Sequence, residues 1–262
     1  KIVHGDTAYT PYSTGTWGSR CAVMAGGAVS ASCEVLATRI LRIGAHLLQA
    51  DIAEVSLSGG EVRSSNGAIT VRDIARTWHR APQELPPALA ADALEVTEGY
   101  RPDPDSGTFS YAAHGCVIAV DPEIGDVEIL DYVIVEDGGV LINPMVVDGQ
   151  VYGGTAQGIG TALFEEIPYD EYGQPMANTL AEYLLPSACE MPHVRIDHME
   201  TPSPFSTFGQ KGVGEGGAIG PPAAIANAIN DAFKDIGLVV DRLPVSPVRL
   251  FELIRKAEAR NE

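Results

Sequence analysis

Three stretches of this chain are richer in glycine than ordinary secondary structure tolerates: Tyr12–Arg20, Gly153–Gly160 and Gly209–Gly220. Gly153, Gly154, Gly158 and Gly160 lie in residues 151–166, whose apolar spacing otherwise predicts a helix. Each helical glycine costs near 1 kcal/mol relative to alanine, so something must offset four of them. Two explanations compete: close helix packing, or a backbone that must approach a ligand. All three stretches lead into or lie within a predicted helix. Such loops expose main-chain N–H groups to anions at helix N-termini. A large phosphate-bearing cofactor touched from several sides would account for all three.

The rest of the chain reads as α+β, a mixture of hairpins and separate helices rather than a regular βαβ series. Lys1–Gly5 reads as a strand already under way, as in part of a longer polypeptide. Val35, Leu36, Ile40, Ile43 and Leu47 recur at helical spacing and predict a long helix over 22–50. A small hairpin follows at Ile52–Leu57 and Ile69–Val71, then one or two helical turns over Val71–Trp78. Residues 81–108, with Pro86-Pro87 and Pro102–Pro104, read as a connecting loop. They divide the chain into a first lobe, 1–100, carrying the first glycine-rich loop, and a second, 101–262, carrying the other two. Phe109–Asp121 and Val127–Glu136 are strand-like, with a turn between them. Val194–Met199 predicts a strand, Ala223–Phe233 a helix after a 203–222 loop, and Ser246–Ala259 a final helix.

Charge and cysteine usage narrow the function classes. The chain has 35 acidic and 17 basic residues, a net charge of −18. Such a surface repels nucleic acid and anionic lipid. No apolar run reaches membrane-spanning length in the raw sequence, and no signal peptide opens it, which points to the cytoplasm. Cys21, Cys33, Cys116 and Cys189 form no CxxC pair, and the six histidines do not cluster. No zinc or iron–sulfur site and no metal held directly by protein side chains is therefore expected.

Gly212-Val213-Gly214-Glu215-Gly216-Gly217 has the outline of a dinucleotide fingerprint, but two features oppose that reading. Phe205-Ser206-Thr207-Phe208 is too short and polar to be the feeding strand, and a central carboxylate would repel a pyrophosphate. A lone loop glutamate is usually solvated. Flanking glycines leave Glu215 room to project toward a bound group, and in a dry site it could accept a proton.

The ordered set of segments is more specific than any one of them. Gly15-Thr16-Trp17-Gly18-Ser19-Arg20 comes first. Asp137-Gly138-Gly139, Ile142-Asn143-Pro144 and Gly149-Gln150 follow. Then come Gly154-Thr155-Ala156-Gln157-Gly158-Ile159-Gly160 and Lys211-Gly212-Val213-Gly214-Glu215-Gly216-Gly217. Over nearly the whole chain this series resembles the molybdenum hydroxylases, the family of xanthine dehydrogenase, aldehyde oxidase and carbon monoxide dehydrogenase large subunits. The resemblance implies the C-terminal part of a molybdopterin-binding domain. It implies Glu215 as the base beside molybdenum and Gln157 as a cofactor contact near the metal. It also implies cofactor-binding roles for Gly15, Thr16, Trp17, Gly18, Ser19 and Arg20, and for Lys211, Gly212, Val213 and Gly214. Arg20 could pair with a phosphate as a charged fork or form a surface ion pair; Trp17 could stack or simply pack.

The implied cofactor is molybdenum-molybdopterin in its cytosine dinucleotide form. The implied reaction is hydroxylation of an aldehyde or N-heterocycle with water-derived oxygen. Iron–sulfur clusters and FAD are expected on other subunits or domains, because this chain has motifs for neither. The first half of the molybdenum-binding region is also absent here, so the expected partners include the rest of the large subunit or a second molybdopterin-binding chain. Two alternatives stand beside this: oxidation of carbon monoxide, and a non-catalytic cofactor-binding or scaffold subunit.

Overall fold

The computed structural model describes residues 1–102 and 107–260. Part of the expected 81–108 loop, including Pro104, lies outside the described residues. Helix α1 spans Cys21–Leu47, strands β1–β3 are Ser56–Ser58, Glu61–Ser64 and Gly67–Thr70, and helices α2 and α3 are Val71–Arg80 and Pro87–Ala90. Strands β4 (Tyr111–Asp121) and β5 (Asp126–Asp137) lead to α4 (Pro144–Leu163). Strand β6 (Val194–Met199), α5 (Gly216–Ala232) and α6 (Pro247–Glu258) complete the chain. The helices and two small sheets make an α+β architecture, as the sequence predicts.

The chain divides into two compact units. One comprises Lys1–Thr14 and Met24–Asp105; the other comprises Gly15–Val23 and Ser106–Glu262. The Gly15–Arg20 segment therefore differs from its expected place in the first lobe. Its Ser19 bonds to Glu215, 196 positions later, a contact that no local pattern encodes.

In the first unit, β1, β2 and β3 form an antiparallel meander. Ile40 and Ile43 of α1 pack with Val62, Ile74 and Leu85. Thr70 caps α2, its hydroxyl accepting from the Asp73 N–H, so the helix starts directly off β3. Among the described residues α1 is the one helix long and apolar enough to cross a membrane. The raw sequence hides this because Ser30, Ser32, Glu34 and Arg39 interrupt every apolar run. Lys1–Gly5 is not a strand: no strand of either sheet pairs with it.

In the second unit the sheet order is β4-β5-β6, antiparallel then parallel. Tyr132, Ile134 and Glu136 alternate onto one face of β5 and are all buried. Val147 and Val151 of α4 pack on that face with Val194. Ile159, Ile225, Ile229, Leu250 and Ile254 join α4, α5 and α6 in a second cluster. Burying each such side chain is worth roughly 1.5–3 kcal/mol.

Helix α5 starts seven residues before the predicted Ala223. Pro221 and Pro222 lie inside it and disguise its true start at Gly216. The early start depends on close contact. A Cβ on Gly217 would meet the Val151 carbonyl oxygen of α4 at 2.3 Å, and one on Gly158 would meet Pro221 at 2.7 Å. Close packing thus accounts for Gly154 and Gly158, both buried against α5.

Candidate active site

The Asp137–Gly139 segment organises the loop that carries Glu215. Asp137 is buried at the end of β5 and accepts hydrogen bonds from the Gly139 and Thr201 N–H groups and from Lys211 Nζ at 3.0 Å. Burial alone would raise its pKa. The hydrogen bonds from Thr201, Gly139 and Lys211 together outweigh that and hold it well below the usual carboxylate range. The Lys211 N–H also donates to the Gly138 carbonyl, and the Val140 N–H to that of Gly209. Gly139 has φ +65, and a Cβ there would meet the Gly209 oxygen at 2.3 Å. Asn143 then caps α4, with Pro144 at its first position, so the Asn-Pro pair is a helix start.

Glu215 is the N-cap of α5 and is exposed. Ser19 Oγ donates to its Oε2 at 2.7 Å. The two loops meet where glycine leaves room: a Cβ on Gly212 would be 2.6 Å from the Ser19 carbonyl oxygen, and one on Gly214 would be 3.3 Å from Ser19 Oγ. Gln150 Oε1 is 3.7 Å from that same Gly214 position. The structure therefore brings Ser19, Gly212, Gly214, Glu215 and Gln150 together.

The remaining expected residues are disposed differently. Gln157 is exposed on α4, two turns beyond Gln150 on one face with Gly149 and Gly153. Arg20 donates through Nε and Nη2 to the Gly15 carbonyl and stacks 4.4 Å over the Trp17 ring, fastening its own loop. Thr16 Oγ1 lies 2.9 Å from Cys21 Sγ. Val213 packs against the Tyr132–Val151 cluster. Lys211 is 5% exposed, its ammonium bonded to Asp137 and placed over the Tyr111 ring.

Sequence reasoning missed the layer beneath α5. Glu136 is 1% exposed and neither carboxylate oxygen has a hydrogen-bond partner. Its carboxyl lies directly under Gly216, where a Cβ would fall 2.2 Å from Oε1. Burial pushes its pKa up to about 7, against a smaller lowering by His198 across the strand pair. One turn along α5, Gly220 sits on the His114 ring, whose Nδ1 is 3.2 Å from the Tyr132 hydroxyl. Burial lowers the His114 pKa. The only signal available in sequence was the alternation of β5, which places residue 136 on the buried face.

Gly15 and Gly18 have positive φ with nothing near their Cβ positions, and Gly149 and Gly153 of α4 are equally open, so a large organic group could approach the backbone closely at these four positions. Among the described residues no three His, Cys, Asp or Glu side chains converge as metal ligands.

The family model for the molybdopterin cofactor-binding domain matches residues 1–192, and the chain belongs to that family. It is 38% identical over 257 residues to the gamma subunit of the 6-hydroxypseudooxynicotine dehydrogenase complex of Paenarthrobacter nicotinovorans, covering 95% of this chain and 31% of that protein. It is 31% identical to the carbon monoxide dehydrogenase large chain of Hydrogenophaga pseudoflava, covering 98% of this chain and 32% of that one. Quinoline 2-oxidoreductase of Pseudomonas putida 86 superposes with a TM-score of 0.83 at 33% identity, over 95% of this chain and 32% of that structure. The chain thus spans about a third of the length of these relatives.

Proposed function

We propose that the chain is the Glu215-bearing part of a molybdenum hydroxylase, an oxidoreductase that inserts water-derived oxygen into an N-heterocycle or aldehyde. The observation that carries this reading is Glu215 at the start of α5, held by Ser19 and flanked by loops that present main chain. The bound molybdopterin group, in its cytosine dinucleotide form, supplies the two-electron redox chemistry. Gly15–Ser19 offer it backbone donors, Arg20 keeps that loop closed, and Gln157 with the open glycines of α4 offers a second edge. A Glu215 carboxylate oxygen takes the proton of the attacking water-derived hydroxyl.

The gamma-subunit and quinoline relatives support the N-heterocycle assignment. The carbon monoxide dehydrogenase large chains keep carbon monoxide as the second reading. The carboxylate in the cradle argues against a scaffold that merely kept the fold. The rest of the large subunit, an iron–sulfur component and a flavin component complete the enzyme, which works in the cytoplasm.

Glu215→Gln keeps size and removes the base. Turnover should fall about 100- to 10,000-fold with molybdenum content unchanged. Full molybdenum content with more than about a tenth of normal turnover would overturn the assignment.

A further inference from the structure

We propose that Ser19 is a positioning residue whose hydroxyl fixes the orientation of the Glu215 carboxylate. This rests on Glu215 being the base, and it gives Ser19 a task other than holding the cofactor. Three independent observations converge on it. The 2.7 Å bond from Ser19 Oγ to Glu215 Oε2 joins residues 196 positions apart. Ser19 has φ 56, a left-handed backbone that glycine adopts without strain and a side chain resists. A serine kept there points to a use for its hydroxyl. Finally, Gly212 and Gly214 leave open the space that lets Ser19 come so close.

Chemically, the bond selects one rotamer for a carboxylate that is otherwise exposed and free to turn, and so keeps the base aimed.

Ser19→Gly and Ser19→Ala both remove the donor, but glycine relieves the backbone while alanine keeps it strained. In the intact, molybdenum-loaded enzyme, both should lower kcat by about tenfold. Molybdenum content should not change. A second readout does not need turnover. The infrared difference between each background and its Glu215→Gln derivative isolates the Glu215 carboxylate band, which should shift alike in both variants. A shift in alanine but not in glycine would assign the effect to the backbone and overturn the proposal. So would loss of molybdenum with the band unmoved, which would make Ser19 a cofactor contact only. If Glu215→Gln keeps its turnover, the parent reading fails. If Glu215→Gln collapses while both Ser19 variants behave as wild type, only this inference fails.

Discussion

Replacing Glu136 with glutamine isolates the energetic consequence of a carboxyl buried with no partner. An ordinary glutamate has a pKa of 4.5, and burial moves this one to about 7. That difference corresponds to about 3 kcal/mol. The sign follows from proton linkage. Between pH 4.5 and 7 the unfolded chain has lost the proton that the folded chain still holds, so stability falls as pH rises through this window, then levels off. Neighbouring charges act on the same group. His198 of β6 faces it across the strand pair and is itself bonded to Asp148 of α4 at 2.6 Å, while α5 presents Gly216 above it. The His198 contribution is the smaller one and opposes the rise.

Glu136→Gln fills the same volume and cannot ionise. Urea unfolding of the intact protein at several pH values measures the difference. The variant should match wild type within about 1 kcal/mol at pH 5 and exceed it by about 2–3 kcal/mol at pH 8. A difference that stays constant from pH 4.5 to 8 would refute the reasoning. It would mean that water or a rotated side chain already satisfies the carboxyl.

Two further substitutions separate structural from cofactor roles. Lys211→Ala leaves Asp137 buried without its cation and should cost about 3 kcal/mol or more by urea unfolding; full stability combined with loss of cofactor would instead place Lys211 on the cofactor. Gln157→Ala alters an exposed side chain, so it should leave the unfolding midpoint unchanged while lowering molybdenum retention or turnover; unchanged molybdenum content and activity would remove Gln157 from the site.

What could be read from the sequence follows from the range of the interactions involved. The α1 periodicity, the β4–β5 turn and β6 are local patterns, and each element formed within a few residues of its predicted bounds. The start of α5 was illegible because Pro221-Pro222 is a helix-breaking signal. It is overridden only by packing of Gly158 and Gly217 from two separate helices. The ion pair of Lys211 was not legible because Asp137, its partner, lies 74 positions away. Ser19 read as one residue of a cofactor loop, since neither its left-handed backbone nor its bond to Glu215 has a local signature.

The glycines fall into two environments that a sequence cannot separate. At Gly154, Gly158, Gly216, Gly217 and Gly220 an added Cβ would strike protein, so these glycines bring α4, α5 and the sheet close together. At Gly15, Gly18, Gly149 and Gly153 it would strike nothing, so packing does not explain their presence. Within α4 the two kinds occupy opposite faces: Gly154 and Gly158 turn inward, while Gly149 and Gly153 lie on the exposed strip with Gln150 and Gln157. Of the alternatives posed by a glycine-rich helix, close packing holds on the inward face, and the outward face leaves room for a ligand to approach. The inward glycines seat α5 so that Glu215 emerges at its start, and the outward ones leave backbone uncovered on α4. A substitution on the inward face should act through stability, and one on the outward face through cofactor retention, although a sequence pattern would score them alike.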